Sequence, residues 1–167
     1  MANMRKGKSV VAAAVCVILV VGMLSGCGKA KDKTFAVDNL SITLNEDFTE
    51  QELVTQTGYF VSLTSIVTVL KEELTVFESA GLSTNMSLSD YASLVLTTNQ
   101  LETEVKSDDG LVGFEYAKTE SGKNYQYAAF VYKGSDAYWL VQFGCESKNF
   151  DKYREDFIKW AKSVEVK

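Results

Sequence analysis

The 167-residue chain carries 17 Lys and Arg against 22 Asp and Glu, a formal net charge of −5, with no histidine, no proline and three cysteines. The acidic balance argues against a nucleic-acid-binding face, which needs clustered positive charge. Without histidine the chain lacks the commonest general base and the usual partner ligand for zinc or copper.

Residues 1–9, MANMRKGKS, hold Arg5, Lys6 and Lys8 and no acid, and residues 10–24 carry no charge. A basic leader before an apolar stretch of this length has the layout of an export signal. The stretch falls short of the roughly 20 apolar residues that span a bilayer. It ends in Leu24-Ser25-Gly26-Cys27. These four residues resemble the lipobox of bacterial lipoproteins: Leu, a small residue, Gly or Ala, then Cys. The resemblance implies that residues 1–26 are a signal peptide and that Cys27 receives a diacylglyceryl thioether. Cys27 would become the new N-terminus and carry a further acyl group such as palmitate. The alternatives are an uncleaved transmembrane helix or an ordinary signal peptide with a chance cysteine. Two or more acyl chains hold a protein stably on a membrane, at roughly 0.8 kcal/mol per buried methylene. The expected location is the extracytoplasmic face of the cell membrane. Gly28 supplies no retention signal, and the reading leans to a single-membrane bacterium.

Residues 27–33 then form a lipidated cysteine and a short basic tether, with Lys29, Lys31 and Lys33 against Asp32. From residue 34 onward there are 11 basic and 21 acidic residues. Residues 34–167 suffice for one domain with a sizeable core. Cys16 leaves with the signal and Cys27 is modified, so Cys145 has no disulfide partner.

In chain order, LSITL (40–44) alternates apolar and polar and predicts a strand with one buried face. Phe48 follows at a turn, and Thr49 is placed to cap a short helical piece over 50–56. After Gly58, residues 59–74 are rich in β-branched and aromatic residues and predict strand, with a kink near Ser65. Residues 75–86 contain Gly81 and a Ser/Thr/Asn cluster and read as loop. SLSDYASLVLTTNQLE (87–102) predicts a helix opened by a capping-box arrangement of Ser87 and Asp90. KSDDG (106–110) reads as a turn.

Residues 111–145 predict three antiparallel strands, separated by TESGK and by KGSD, with Gly134-Ser135 as a two-residue hairpin loop. In the middle strand Tyr125, Tyr127, Ala129 and Val131 share one face, and Ala128, Phe130 and Tyr132 the other. In the last, Trp139, Val141, Phe143 and Cys145 oppose Tyr138 and Leu140. Both faces are apolar, so both must be covered, and helices are the candidates. The last helix, over 149–164, carries an apolar stripe of Phe150, Tyr153, Phe157, Trp160, Ala161 and Val164. Glu155 and Lys159 are spaced for an ion pair on its outer side. SVEVK can add a final edge strand.

The fold class this predicts is α+β, a mainly antiparallel β-sheet with helices on both faces. The order of parts resembles the PsbP-like α/β/α sandwich family, which includes many small bacterial lipoproteins. The resemblance runs over residues 38–166, through LSITL with its following aromatic, SLSDYASLV opening a helix, and the stretch from Gly113 to Val166. It implies a binding or accessory role and supplies no shared catalytic residues.

The residues themselves point the same way. Cys145 has no histidine to activate it, and Glu146 beside it would raise its thiol pKa. Asp108-Asp109-Gly110 suits a hairpin turn better than a calcium loop, whose other ligands are missing. Glu72-Glu73 alternate along a strand and point apart, which does not suit paired-carboxylate catalysis. No metal or cofactor is implied. Tyr125, Tyr127, Tyr132 and Tyr138 are the candidate aromatics for a ligand or partner, with Tyr116 and Trp139 nearby; the alternative is that they are core. The expected function is a non-enzymatic, lipid-anchored accessory module assisting a membrane or cell-wall protein complex. The second reading is capture of a sugar or peptide for a transporter.

Overall fold

The computed structural model describes residues 31–167, and the expected lipidation motif, Leu24, Ser25, Gly26 and Cys27, lies outside them. Strands β1 (Asp32–Val37) and β2 (Leu40–Asn45) form a hairpin, with the C-terminal β10 (Glu165–Val166) on the other side of β2. The larger sheet is built from β3 (Thr49–Gln51), β4 (Gly58–Val61), β5 (Ser65–Glu73), β6 (Lys106–Asp108), β7 (Leu111–Glu120), β8 (Lys123–Lys133) and β9 (Ala137–Glu146). Its order is β3-β4-β5-β9-β8-β7-β6, and every strand pairing among the described residues is antiparallel. Helices α1 (Leu74–Ser79) and α2 (Leu88–Thr98) follow β5, and α3 (Phe150–Lys162) follows β9 through a single 3-10 turn.

Period-2 alternation on β8 and β9 sends apolar side chains to both faces, and each face has its own core. On one, Ala128, Phe130, Trp139, Val141, Phe143 and Cys145 pack against Phe35, Ile42 and Leu44 of the small sheet and Phe157 and Trp160 of α3. On the other, Ala129, Val131, Tyr138 and Leu140 pack against Phe77 of α1 and Tyr91, Ala92, Val95 and Leu96 of α2. Helices therefore cover both faces, as the sequence predicts. The first face is shared with a second sheet, which the strand pattern did not separate from the rest. Burying a side chain such as Phe143 or Val141 contributes roughly 1.5–3 kcal/mol.

The turns follow their residues. Asp109-Gly110 (φ 49° and 81°) and Ser121-Gly122 (φ 52° and 77°) are two-residue loops with both residues left-handed. That geometry matches the twist of the flanking strands. The third hairpin is shifted by one residue. The Gly134 N–H donates to Ala137 O at 2.9 Å, so the loop residues are Ser135 and Asp136, not Gly134 and Ser135. Helix α2 starts as predicted: Ser87 Oγ accepts from the Asp90 N–H at 3.1 Å.

Other local expectations give way to tertiary contacts. Residues 49–51, expected to open a short helical piece, form edge strand β3, where the Thr49 hydroxyl donates to Val61 O at 3.3 Å. Pairing with β4 satisfies backbone groups that an isolated turn of helix would leave bare. Residues 75–79, expected as loop, and Leu74, expected to end the strand, form α1, because Phe77 is buried between Tyr91 and Tyr138. Residues 106–108 pair with β7 as a strand. Lys159 meets Asp32 at 2.9 Å instead of Glu155. Asp32 and Lys33, read as tether, already pair with Asn45 and Leu44 in β1.

Candidate functional site

The structure separates the four candidate tyrosines. Tyr132 faces α3, where its hydroxyl donates to Ala161 O at 2.7 Å and burial raises its pKa. Tyr138 lies on the opposite face, fully buried, stacked on Tyr91 at 4.5 Å and donating to Met86 O at 2.8 Å. Both are tied into packed layers. Tyr125 and Tyr127 lie elsewhere, on the Tyr138 face but towards its far end.

Helices α1 and α2 cover only part of that face. Their core reaches Ala129 and Phe114, with Tyr116 packed at its margin, and includes none of Tyr59, Val61, Ile66, Tyr125 or Tyr127. Ladder register aligns all of these but Tyr125 into two rows. One runs Val61–Ile66–Gly144–Tyr127–Tyr116 across β4, β5, β9, β8 and β7. The next holds Tyr59, Thr68 and Gln142. Val61, Ile66, Tyr59, Tyr116 and Tyr125 are half-buried, and Tyr127 is 7% exposed.

The rows are ordered by their own contacts. The rings of Tyr116 and Tyr127 stack at 4.8 Å and 9°. The Tyr116 hydroxyl donates to Gln142 Oε1 at 2.6 Å, and Gln142 Nε2 donates to Thr68 Oγ1 at 3.1 Å. Burial, with the Glu120 carboxylate adding to it, pushes the Tyr127 phenol up to about 12 and raises Tyr116 as well. Both rings are therefore neutral at physiological pH. Around them lie the ion pairs Lys118–Glu120 (2.5 Å), Lys123–Glu146 (3.5 Å) and Lys148–Glu146 (2.6 Å). The arrangement offers flat aromatic and aliphatic area, neutral hydroxyls and an amide within a charged rim. That is binding chemistry, with no nucleophile set beside a base. Tyr125, Tyr127 and Tyr116 were visible in the sequence as a crowded meander. Tyr59, Val61, Ile66 and Gln142 were not, because the long-range β5–β9 pairing is what brings them alongside.

Cys145 is 2% exposed in the α3-side core; burial, and then Glu146, push its thiol up to about 11. Asp109 sits in a hairpin turn, where Lys162 holds its carboxyl below the usual range. Among the described residues no group of three or more His, Cys, Asp or Glu is placed to hold a metal ion, and no helix is long and apolar enough to cross a membrane.

No family model and no curated protein sequence matches the chain. Its structure is similar to the solution structure of cyanobacterial PsbP (CyanoP) from Synechocystis sp. PCC 6803. The TM-score is 0.50 at 13% identity, over 88% of this chain and 99% of that one. It is also similar to LpqN, involved in cell envelope biogenesis of Mycobacterium tuberculosis, with TM-score 0.50 at 7% identity over 81% and 90% of the two chains. A protein of Bacteroides thetaiotaomicron VPI-5482 gives TM-score 0.55 at 12% identity over 83% of this chain, which spans about half, 48%, of that protein. At such identities the likeness is one of fold. The chain has a PsbP-like α+β architecture.

Proposed function

We propose that this protein is a lipid-anchored accessory module of the cell envelope that binds a protein partner through the uncovered part of its large sheet. The observation that carries the reading is the Val61–Ile66–Gly144–Tyr127–Tyr116 row, in register across five strands, in which Val61, Ile66 and Tyr116 are half-buried and Tyr116 alone packs against the core under α1 and α2. Stacked aromatics on a rigid sheet lose little side-chain freedom when a partner covers them. The acidic body and the basic residues Lys29 and Lys31 fit a domain standing close to a membrane surface. From Cys27 to Asp32 the chain reaches at most about 18 Å, so an acylated Cys27 holds β1 near the lipid.

A second reading is supported by the polar groups of the same rows. The Tyr116–Tyr127 stack beside the Gln142 amide is also what a sugar ring needs, stacking plus planar hydrogen-bonding groups. Both readings are non-enzymatic.

The test uses the full chain in intact membranes. A photo-crosslinking residue at Tyr125 is expected to trap one discrete envelope protein, and the same residue at exposed Ser79 on α1 to trap none. Equal labelling from both positions defeats the partner reading. Cys27→Ala is expected to move the protein out of the membrane fraction; a variant that stays there unchanged defeats the anchor.

A further inference from the structure

Glu72 faces a different part of the sheet. It sits opposite Tyr138 in the β5–β9 ladder, on the side that α1 and α2 cover. Above it is a cavity of 180 Å³ walled by Leu70, Phe77, Leu94, Val95 and Leu140. Its mouth lies beside Val76 and Leu82, which are 61% and 43% exposed and are two of the most exposed large apolar side chains of the domain.

A carboxylate and a phenol meet inside this apolar wall. The hydroxyl of fully buried Tyr91 donates to Glu72 Oε2. Tyr91 is held by its stack on Tyr138 and its edge contact with Phe77, so the donor is fixed. One hydroxyl satisfies only part of what an ionised carboxylate accepts, which is about four hydrogen bonds.

No cation within 4 Å pairs with Glu72 among the described residues. Lys71, its chain neighbour, points to the other face and is held by Asp38 and Asp136. Lys133, on the Glu72 face, sits 5.2 Å from the centre of the Tyr138 ring and donates to Asn85 Oδ1 at 2.9 Å. Glu72 is half-buried, and a cation seated on it beside the apolar wall would add the charge-assisted partner that the Tyr91 hydroxyl alone does not supply.

We propose that this cavity binds a small organic cation, with a primary ammonium on the Glu72 carboxylate and a compact apolar body between α1 and α2. An apolar hole of about 150 Å³ accepts a benzene ring, so this one accommodates a single ring or branched alkyl group with a short arm. The ammonium and carboxylate would form a charge-assisted hydrogen bond. A carboxylate ligand would set like charges together, and a neutral isostere would leave Glu72 without its counter-ion. The site goes beyond the partner reading and is separate from the open rows.

The test is an NMR titration of the full chain in lipid nanodiscs with 2-phenylethylamine, 2-phenylethanol and phenylacetate. The amine is expected to bind at millimolar concentration or below and to shift resonances of Val76, Tyr91 and Leu94. The alcohol is expected to bind at least about tenfold more weakly, and phenylacetate not to bind. Glu72→Gln keeps an acceptor for Tyr91 and is expected to weaken the amine about tenfold while leaving the alcohol unchanged. Val76→Trp, at the exposed mouth, is expected to block the amine in a folded protein and serves if Glu72→Gln does not fold. Equal affinity for amine and alcohol, no binding of the amine, shifts at Tyr59 and Tyr127 instead of the cavity, or undiminished binding in both variants overturns the proposal.

Discussion

The ring of Tyr127 covers Gly144, its cross-strand partner on β9, so closely that a methyl group on Gly144 would stand 2.4 and 2.6 Å from two ring carbons. The ring then lies between Gly144 and the ring of Tyr116. Gly144→Ala is expected to push Tyr127 out of line and cost about 1–3 kcal/mol, as overpacking does. Urea denaturation reads the cost, and ring-current shifts at Ile66 and Tyr116 read the displacement. An unchanged spectrum would mean that the row tolerates a free ring and is not a rigid surface.

The tyrosines differ sharply in what they hold up. Tyr138→Ala removes a fully buried ring and its hydrogen bond to Met86 O, and is expected to cost about 3–5 kcal/mol. Tyr125→Ala removes a half-buried ring and is expected to cost under about 1 kcal/mol. Tyr125→Ala combined with Tyr127→Ala should abolish partner capture in a protein that still unfolds cooperatively. Unfolding midpoints of the three variants, set beside the crosslinking yield, check both statements.

Cys145 should be inert in the folded protein. With its thiol near 11, about one molecule in a thousand carries the thiolate at pH 8, and the sulfur is enclosed by Phe143 and its neighbours. Alkylation in native buffer is expected to run at the rate of protein opening and to become fast in denaturant. Rapid native labelling would show an open, activated thiol instead.

Stability should fall at alkaline pH. Burial is the first cause of the raised values at Cys145 and at Tyr91, Tyr116, Tyr127 and Tyr132, so in each case the folded state favours the protonated form. A group with a raised folded pKa contributes its full share below its unfolded value and loses it as pH rises through the folded one. The ordinary values are 9.0 for the thiol and 10.0 for the phenols, and the folded values begin at about 11 and 12. The urea midpoint is therefore expected to drop progressively between about pH 9 and pH 12. Tyr132→Phe and Cys145→Ala should each flatten that slope.

Ser87→Ala removes the acceptor of the Asp90 N–H at the start of α2 and is expected to cost about 1 kcal/mol. Lys159→Ala breaks the exposed contact with Asp32 and is expected to cost less than that. Thermal unfolding of the pair ranks the two.

The parts of the fold that could be read from the sequence are those set by neighbours in the chain. The Ser87–Asp90 cap, the α3 stripe of Phe150, Phe157, Trp160 and Ala161, and the glycine turns at Gly110 and Gly122 rest on contacts between residues a few positions apart. The two-sided apolar pattern of β8 and β9 likewise announced a sheet covered on both faces. Helix α1 and strands β3 and β6 could not be read this way. Each is short, with little local preference, and is formed by a distant partner: Tyr91 and Tyr138 for α1, β4 for β3, and β7 for β6.

By itself the sequence determined the α+β class, the central meander, both long helices and the place of Cys145 in the core, because hydrophobic periodicity and capping act over one or two turns. Tertiary structure alone decided which tyrosines are tied into the helix-covered layers and which lie beyond them. Alternation along β8 puts Tyr125 and Tyr127 on one face but does not say where α2 ends above them. It also decided that Val61, Ile66 and Tyr127 form one row and that Glu72 meets Tyr91. Those juxtapositions depend on the register between β5 and β9, strands about seventy residues apart in the chain, and on how the α1–α2 pair docks. Pairing at that distance is fixed by the packing of both sheet faces together, which no local stretch of residues encodes.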